Sequence, residues 1–213
     1  STWYRILQYK PLFEKDGIVF EHTPARKFKN FGSIPKYDLV ILQKPILSVG
    51  KVRRISRLAK RFVYDADDRI WLRPFRRHGW IARIRINARM RNIAKLADTC
   101  MAANSLIARD LSGFGAESAI VPMALDGKTW YPMKRKESKT ITIGWTGAPV
   151  NLPFLKSIIP SIKQVLAENR NASFAIHCGE DPCFHEIKYD FIPFEKGKEQ
   201  EVVRSWDIGL LPL

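Results

Sequence analysis

Three carboxylates within four residues, Asp65, Asp67 and Asp68, close the apolar run Phe62-Val-Tyr-Asp-Ala-Asp-Asp68. A buried strand would deliver them at its C-terminal end, where open α/β sheets hold their ligands. Carboxylates this close repel one another, which raises at least one pKa and prepares a general base or an acceptor for a hydroxyl. The same cluster suits a divalent cation. It also suits a purely structural arrangement, in which Asp65 caps a turn while Asp67 and Asp68 pair with Arg69, Arg73 or Arg61.

A second chemical feature is Ile141-Thr-Ile-Gly-Trp-Thr-Gly147, followed by Ala-Pro-Val-Asn-Leu-Pro153 and a long amphipathic run. It reads as a strand, a glycine-bearing turn and a helix whose first turn is set by Asn151 and Pro153. Such a turn points backbone N–H groups and a helix N-terminus at whatever lies above it, which suits a phosphate.

The third feature is charge. The chain carries a net +15, and fifteen Lys and Arg against three Asp between Lys51 and Lys95 give that stretch +12 alone. A concentrated basic face implies an anionic partner or a solvated surface. The helix expected over Trp80–Ala97 has one apolar arc of Ala82, Ile86, Met90, Ile93, Leu96 and Ala97 for the core. Its other face carries Arg83, Arg85, Arg91 and Lys95, with Trp80, Ile81 and Ile84 among them. Trp71-Leu-Arg-Pro-Phe-Arg-Arg77 continues the mixture. Apolar groups among arginines fit an anionic membrane surface, so Trp80, Arg83, Arg85 and Arg91 are the expected membrane contacts. Nucleic acid is disfavoured, because neither a base-stacking sheet nor a recognition helix is evident.

Other chemistries find little support. His177, Cys178, Cys183 and His185 match no common zinc spacing, and His177 and Cys178 end a strand, where neighbours face opposite ways. Neither G-x-S-x-G nor G-x-x-x-x-G-K-[ST] occurs. Three cysteines without framework spacing point to a reducing compartment, and no apolar run reaches the roughly 18 residues that span a bilayer. The expected location is therefore cytoplasmic, with peripheral attachment to the inner face of the membrane.

The elements that position these groups alternate between strand and helix, which implies α/β layers with parallel sheets. Ser1 and Thr2 cap a helix over Trp3–Lys15, and a short strand follows at Ile18–Glu21. Strands are expected at Tyr37–Gln43, Arg61–Asp65, Asp98–Ala102 and Ser118–Val121, with helices at Gly50–Lys60, Trp80–Ala97 and Leu106–Leu111, the last preceded by Asn104-Ser105. The aperiodic Pro122–Pro132 and the charged Lys134–Lys139 separate the halves, giving domains 1–124 and 125–213. The second half is expected to hold strands at Thr140–Ile143, Ser173–Cys178, Phe191–Pro193 and Ile208–Leu211, with helices at Leu152–Asn169 and Lys198–Ser205. The fold class is thus two Rossmann-like, doubly wound parallel-sheet domains, each incomplete.

Five pieces fall in the order of a GT-B glycosyltransferase of the large retaining, nucleotide-sugar-dependent group (group 1, or family 4-like). Tyr4-Arg-Ile-Leu-Gln-Tyr9 with Leu12 and Gly17 resembles the group's first helix, and Tyr64-Asp-Ala-Asp-Asp-Arg-Ile-Trp71 its acidic strand end. Val121-Pro122 through Asp126 to Trp130-Tyr-Pro132 is similar to its P-N-G-V-D…F-x-P link, with Met123-Ala124 in place of Asn-Gly. Ile143-Gly-Trp-Thr-Gly147 and Asp207-Ile-Gly-Leu-Leu-Pro-Leu213 complete the series.

The resemblance implies a donor-binding second domain, an acceptor-binding first domain, and sugar transfer with retention to a lipid-linked or polysaccharide acceptor. It implies no cofactor and no essential metal. Gly144, Thr146 and Gly147 would hold the donor diphosphate, and the loops after Gly179 and Pro193 would flank the base. Asp67 and Asp68 would be catalytic, with Asn104 and Ser105 on the acceptor side. The group's Gly-rich loop would precede Ser1, and its phosphate-binding basic residues and spaced glutamates would follow Leu213. These 213 residues alone are therefore not expected to transfer sugar. The rival reading is a non-enzymatic basic module that docks on membrane lipid or nucleic acid.

Overall fold

A computed structural model describes residues 2–72, 79–132 and 138–212. The chain divides into two compact units, Ser1–Leu125 and Asp126–Leu213. Each is built on a four-stranded, all-parallel sheet flanked by helices, an α/β architecture of Rossmann-like type.

In the first unit the strands β1 (Val40–Gln43), β2 (Phe62–Ala66), β3 (Thr99–Ala102) and β4 (Ser118–Ile120) lie side by side in chain order. The connecting helices α3 (Val49–Leu58), α4 (Trp80–Leu96) and α5 (Ser105–Gly113) pack successively on one another. Alternation along the strands sends Leu42, Phe62, Tyr64, Cys100 and Ala102 into a core with Val52, Ile55, Met90, Ile93, Ile107 and Leu111. Burying each large side chain is worth about 1.5–3 kcal/mol, which makes this layer the unit's main source of stability.

The N-terminal segment departs from the sequence expectation. One helix over Trp3–Lys15 is replaced by α1 (Thr2–Arg5), a 3-10 turn at Leu7–Tyr9 and α2 (Lys10–Lys15). Pro11 has no N–H to give to a carbonyl four residues back, so a continuous helix is interrupted there. The expected Ser1 cap lies outside the described residues. The expected strand at Ile18–Glu21 is irregular backbone, with Ile18 and Val19 exposed and without a neighbouring strand among the described residues.

The second sheet has the order β7-β6-β5-β8. Its strands are β5 (Ile141–Gly147), β6 (Ala172–Cys178), β7 (Asp190–Pro193) and β8 (Ile208–Leu210), with α6 (Leu152–Glu168) after β5 and α7 (Glu199–Arg204) before β8. One face, with Ile143, Trp145, Phe174, Ile176 and Cys178, packs on Leu155, Ile159 and Ile162 of α6. The alternate residues Gly144, Thr146, Ala175 and His177 face the other way, toward Trp206 just after α7. Strand β5 is longer than expected: Gly144 through Gly147 continue the ladder beside β6 and do not turn. The charged stretch Lys134–Lys139 lies largely outside the described residues. Among the described residues no helix is long and apolar enough to cross a membrane.

Candidate functional site

At the C-terminal edge of the first sheet, Asp65 is wholly buried and its carboxylate takes both Arg5 Nη2 and, at 3.2 Å, Arg5 Nε. Arg5 Nη1 also donates to the Val121 carbonyl, so this one guanidinium ties α1 to β2 and to the end of β4. Burial pushes the Asp65 carboxyl up against the downward pull of Arg5, while Asp65 raises Arg5. Asp65 thus has an internal partner and does not cap a turn.

Asp67 and Asp68 share a cation that the sequence reading did not identify. Lys44 Nζ lies 2.6 Å from Asp68 Oδ2 and 3.4 Å from Asp67 Oδ1. Burial pulls the Lys44 ammonium down, but the two carboxylates outweigh it and hold it above its ordinary value. Its backbone is left-handed, with φ at 77°. That conformation is unfavourable for lysine and is held by Tyr64 Oη donating to the Lys44 carbonyl and Lys44 N donating to the Asp65 carbonyl. The Asp67 carboxylate is buried and that of Asp68 is exposed.

The arginine partners considered from sequence are engaged elsewhere. Arg61 pairs with Asp98, and Arg69 makes a two-pronged contact with Asp110 at 2.7 and 3.1 Å. Trp71 Nε1 adds a third hydrogen bond to Asp110. Burial would raise the Asp110 carboxyl, yet the Arg69 and Trp71 donors win and hold it below its ordinary value. Arg73 lies outside the described residues, as do Pro74 to Arg77 of the basic stretch.

Asn104 Oδ1 accepts the Ile107 N–H at 2.9 Å, so Asn104 is the N-cap of α5 and exposed Ser105 is its first residue. The Ala103 N–H donates to the Ala66 carbonyl, which sets this helix start beside the acidic end of β2. Asp67, Asp68, Asn104 and Ser105 therefore share one sheet edge, with Lys44 among them. The other first-unit residues singled out by sequence, Trp80, Arg83, Arg85 and Arg91, are all exposed on α4.

In the second unit the strand order changes direction where β5 neighbours β8. From β5 the chain moves through α6 to β6 on one side, while β8 lies on the other, so strand order reverses there, the kind of point at which open α/β sheets take their ligands. Thr146 and His177 are register partners, and Thr146 Oγ1 lies 2.9 Å from His177 Nδ1. His177 is 0 % exposed, its Nε2 has no hydrogen-bond partner among the described residues, and its ring leans on Phe194 at 5.4 Å. Burial holds this imidazole below its ordinary value, against a smaller upward pull from Glu199.

The glycines of the motif have two different surroundings. A Cβ on Gly144 would lie 1.8 Å from the Trp206 indole, so Gly144 is covered by that ring inside the strand and does not belong to a turn. A Cβ on Gly147 would meet Trp145 at 2.4 Å, so Gly147 is the place where this indole folds under the strand end. Gly179 is open, with only the Pro149 ring near its would-be Cβ, at 3.7 Å. That contact sets the loop after β6 beside the turn after β5. Asn151 makes no capping hydrogen bond through its side chain and sits in a 3-10 turn, Pro149–Asn151, ahead of α6. Thr146, Gly147 and Gly179 thus share this edge, and Gly144 lies behind it. Among the described residues no group of three His, Cys, Asp or Glu could hold a metal.

Sequence reasoning missed Lys44, the Arg5–Asp65 pair, Asp110 and Trp206. Only Lys44 left a signal: a lysine directly after one strand falls, by parallel register, beside the carboxylate end of the next.

No family model matches the chain, and no curated protein matches it. Among solved structures it is similar to the S. aureus MnaA-UDP co-structure, with a TM-score of 0.47 and 12% identity over 92% of this chain and 60% of that chain. The chain therefore spans less than two thirds of that protein's length.

Proposed function

We propose that the protein handles a nucleotide-sugar, held as donor by the second unit, and that its reaction is sugar transfer of the GT-B kind. The acceptor is lipid-linked or a polysaccharide and is taken by the first unit. The observation that carries this reading is the strand-order reversal at β5 and β8, with Thr146, Gly147 and Gly179 at the adjoining strand ends. A diphosphate there would gain from the N-terminal end of α6, which no side chain caps among the described residues. Beneath it the Thr146–His177 pair fixes the strand end without adding negative charge. On the acceptor side Asp68, exposed and held by Lys44, accepts a hydroxyl, and Asp67 keeps Lys44 in place.

Isothermal titration of UDP and GDP against the chain tests the reading. Binding of at least one is expected, weakened about tenfold by Gly179→Leu, because the new side chain fills the open loop beside Pro149. Silence from every nucleoside diphosphate would remove it.

A further inference from the structure

The helical layer of the first unit has an outer surface that neither its core nor the proposed reaction uses. α3 and α4 pack side by side, and Ser56 Oγ donates to the Leu96 carbonyl at 3.2 Å. They bury Val52 and Ile55 from α3 and Met90, Ile93 and Ala94 from α4. Outward, α3 exposes Lys51, Arg53, Arg54 and Arg57, and α4 adds five more cations between Arg83 and Lys95. Neither helix contains an Asp or Glu. Such a layer creates a strong positive potential over its whole width.

The apolar groups on this surface are localised. Fully buried contacts of α4 begin at Met90, so its first turns extend past the core with Trp80 72 % and Ile84 57 % exposed. At 3.6 residues per turn, Trp80, Ile81, Ile84 and Ala88 occupy an arc of about 100°, roughly opposite the buried one. Arg91 and Lys95 continue the same line toward the C-terminal end. A nucleic acid would use the cations and leave the isoleucines in water. A lipid interface uses both: the indole at head-group depth, the isoleucines below it and the cations on the phosphates.

We propose that the α3–α4 face docks on an anionic lipid bilayer, with Trp80, Ile81 and Ile84 entering the interface. The inference rests on the first unit alone and stands apart from the nucleotide reading. Flotation of the full chain with phosphatidylcholine vesicles, with and without phosphatidylglycerol, tests it. Binding to the anionic vesicles should be at least about tenfold tighter and should fall as salt rises.

Trp80→Ser/Ile81→Ser/Ile84→Ser should weaken that binding by about tenfold or more with an unchanged circular dichroism spectrum, because all three side chains are exposed. Arg53→Glu/Arg57→Glu, on the other helix, should weaken it as well. Equal binding to neutral vesicles would overturn the proposal. So would an unaltered affinity in the triple variant, or a duplex DNA that binds more tightly and strips the protein from vesicles.

Discussion

A tryptophan, and not a ligand, is what requires Gly144 to lack a side chain. The Trp206 indole occupies the space of a Cβ there, whereas Gly179 has room for one. Gly144→Ala should therefore destabilise the second unit by about 1–3 kcal/mol through overpacking. Gly179→Ala should be nearly silent, and urea unfolding of the two variants side by side checks the contrast. His177 makes a prediction of a different kind. Burial holds its imidazole below the ordinary 6.5, so the folded unit favours the neutral ring. Its stabilisation is complete above that value and is lost as pH falls through the lower folded-state value. The thermal midpoint of the second unit should drop as pH falls below about 6.5 and drop less in His177→Gln; parallel pH profiles would refute the assignment. The sequence did reveal that His177 and Cys178 point to opposite faces, because alternation is local. It did not reveal what meets them, because Thr146 is 31 residues away.

Both units close the start of a strand with the same clasp. The Asp98 carboxylate accepts the Phe62 N–H and its own N–H goes to the Phe62 carbonyl; Asp207 does the same with Thr142. An aspartate just before a strand thereby fixes the register of a parallel neighbour that has no turn to set it. The start of α5 is fixed by Asn104. Asn104→Ala should lower first-unit stability by about 1 kcal/mol, and Asn104→Asp should retain most of it, as read by urea midpoints. An acceptor-binding role with no capping role would leave both midpoints unchanged. Helices α3, α4 and α6 and most strands were legible within two residues, since periodicity and breakers act over a few residues. The errors have local causes as well. Pro11 interrupts the first helix, the segment at Ile18 meets no partner strand among the described residues, and β5 runs on through two glycines because tryptophans pack against both.

For the molecule as a whole, the sequence by itself determined the alternation of strand and helix and the basic helical layer of the first unit. These follow from hydropathy, breakers and charge, which every short segment carries with it. Only the tertiary structure decided that β8 pairs with β5 and so creates the strand-order reversal, and that Lys44, rather than an arginine, stands between Asp67 and Asp68. It alone set Asp110 between Arg69 and Trp71, and Trp206 over Gly144. Each of these joins residues tens of positions apart. Many side chains of the right type compete for such a partner, and the choice among them is made by the packing of the complete core.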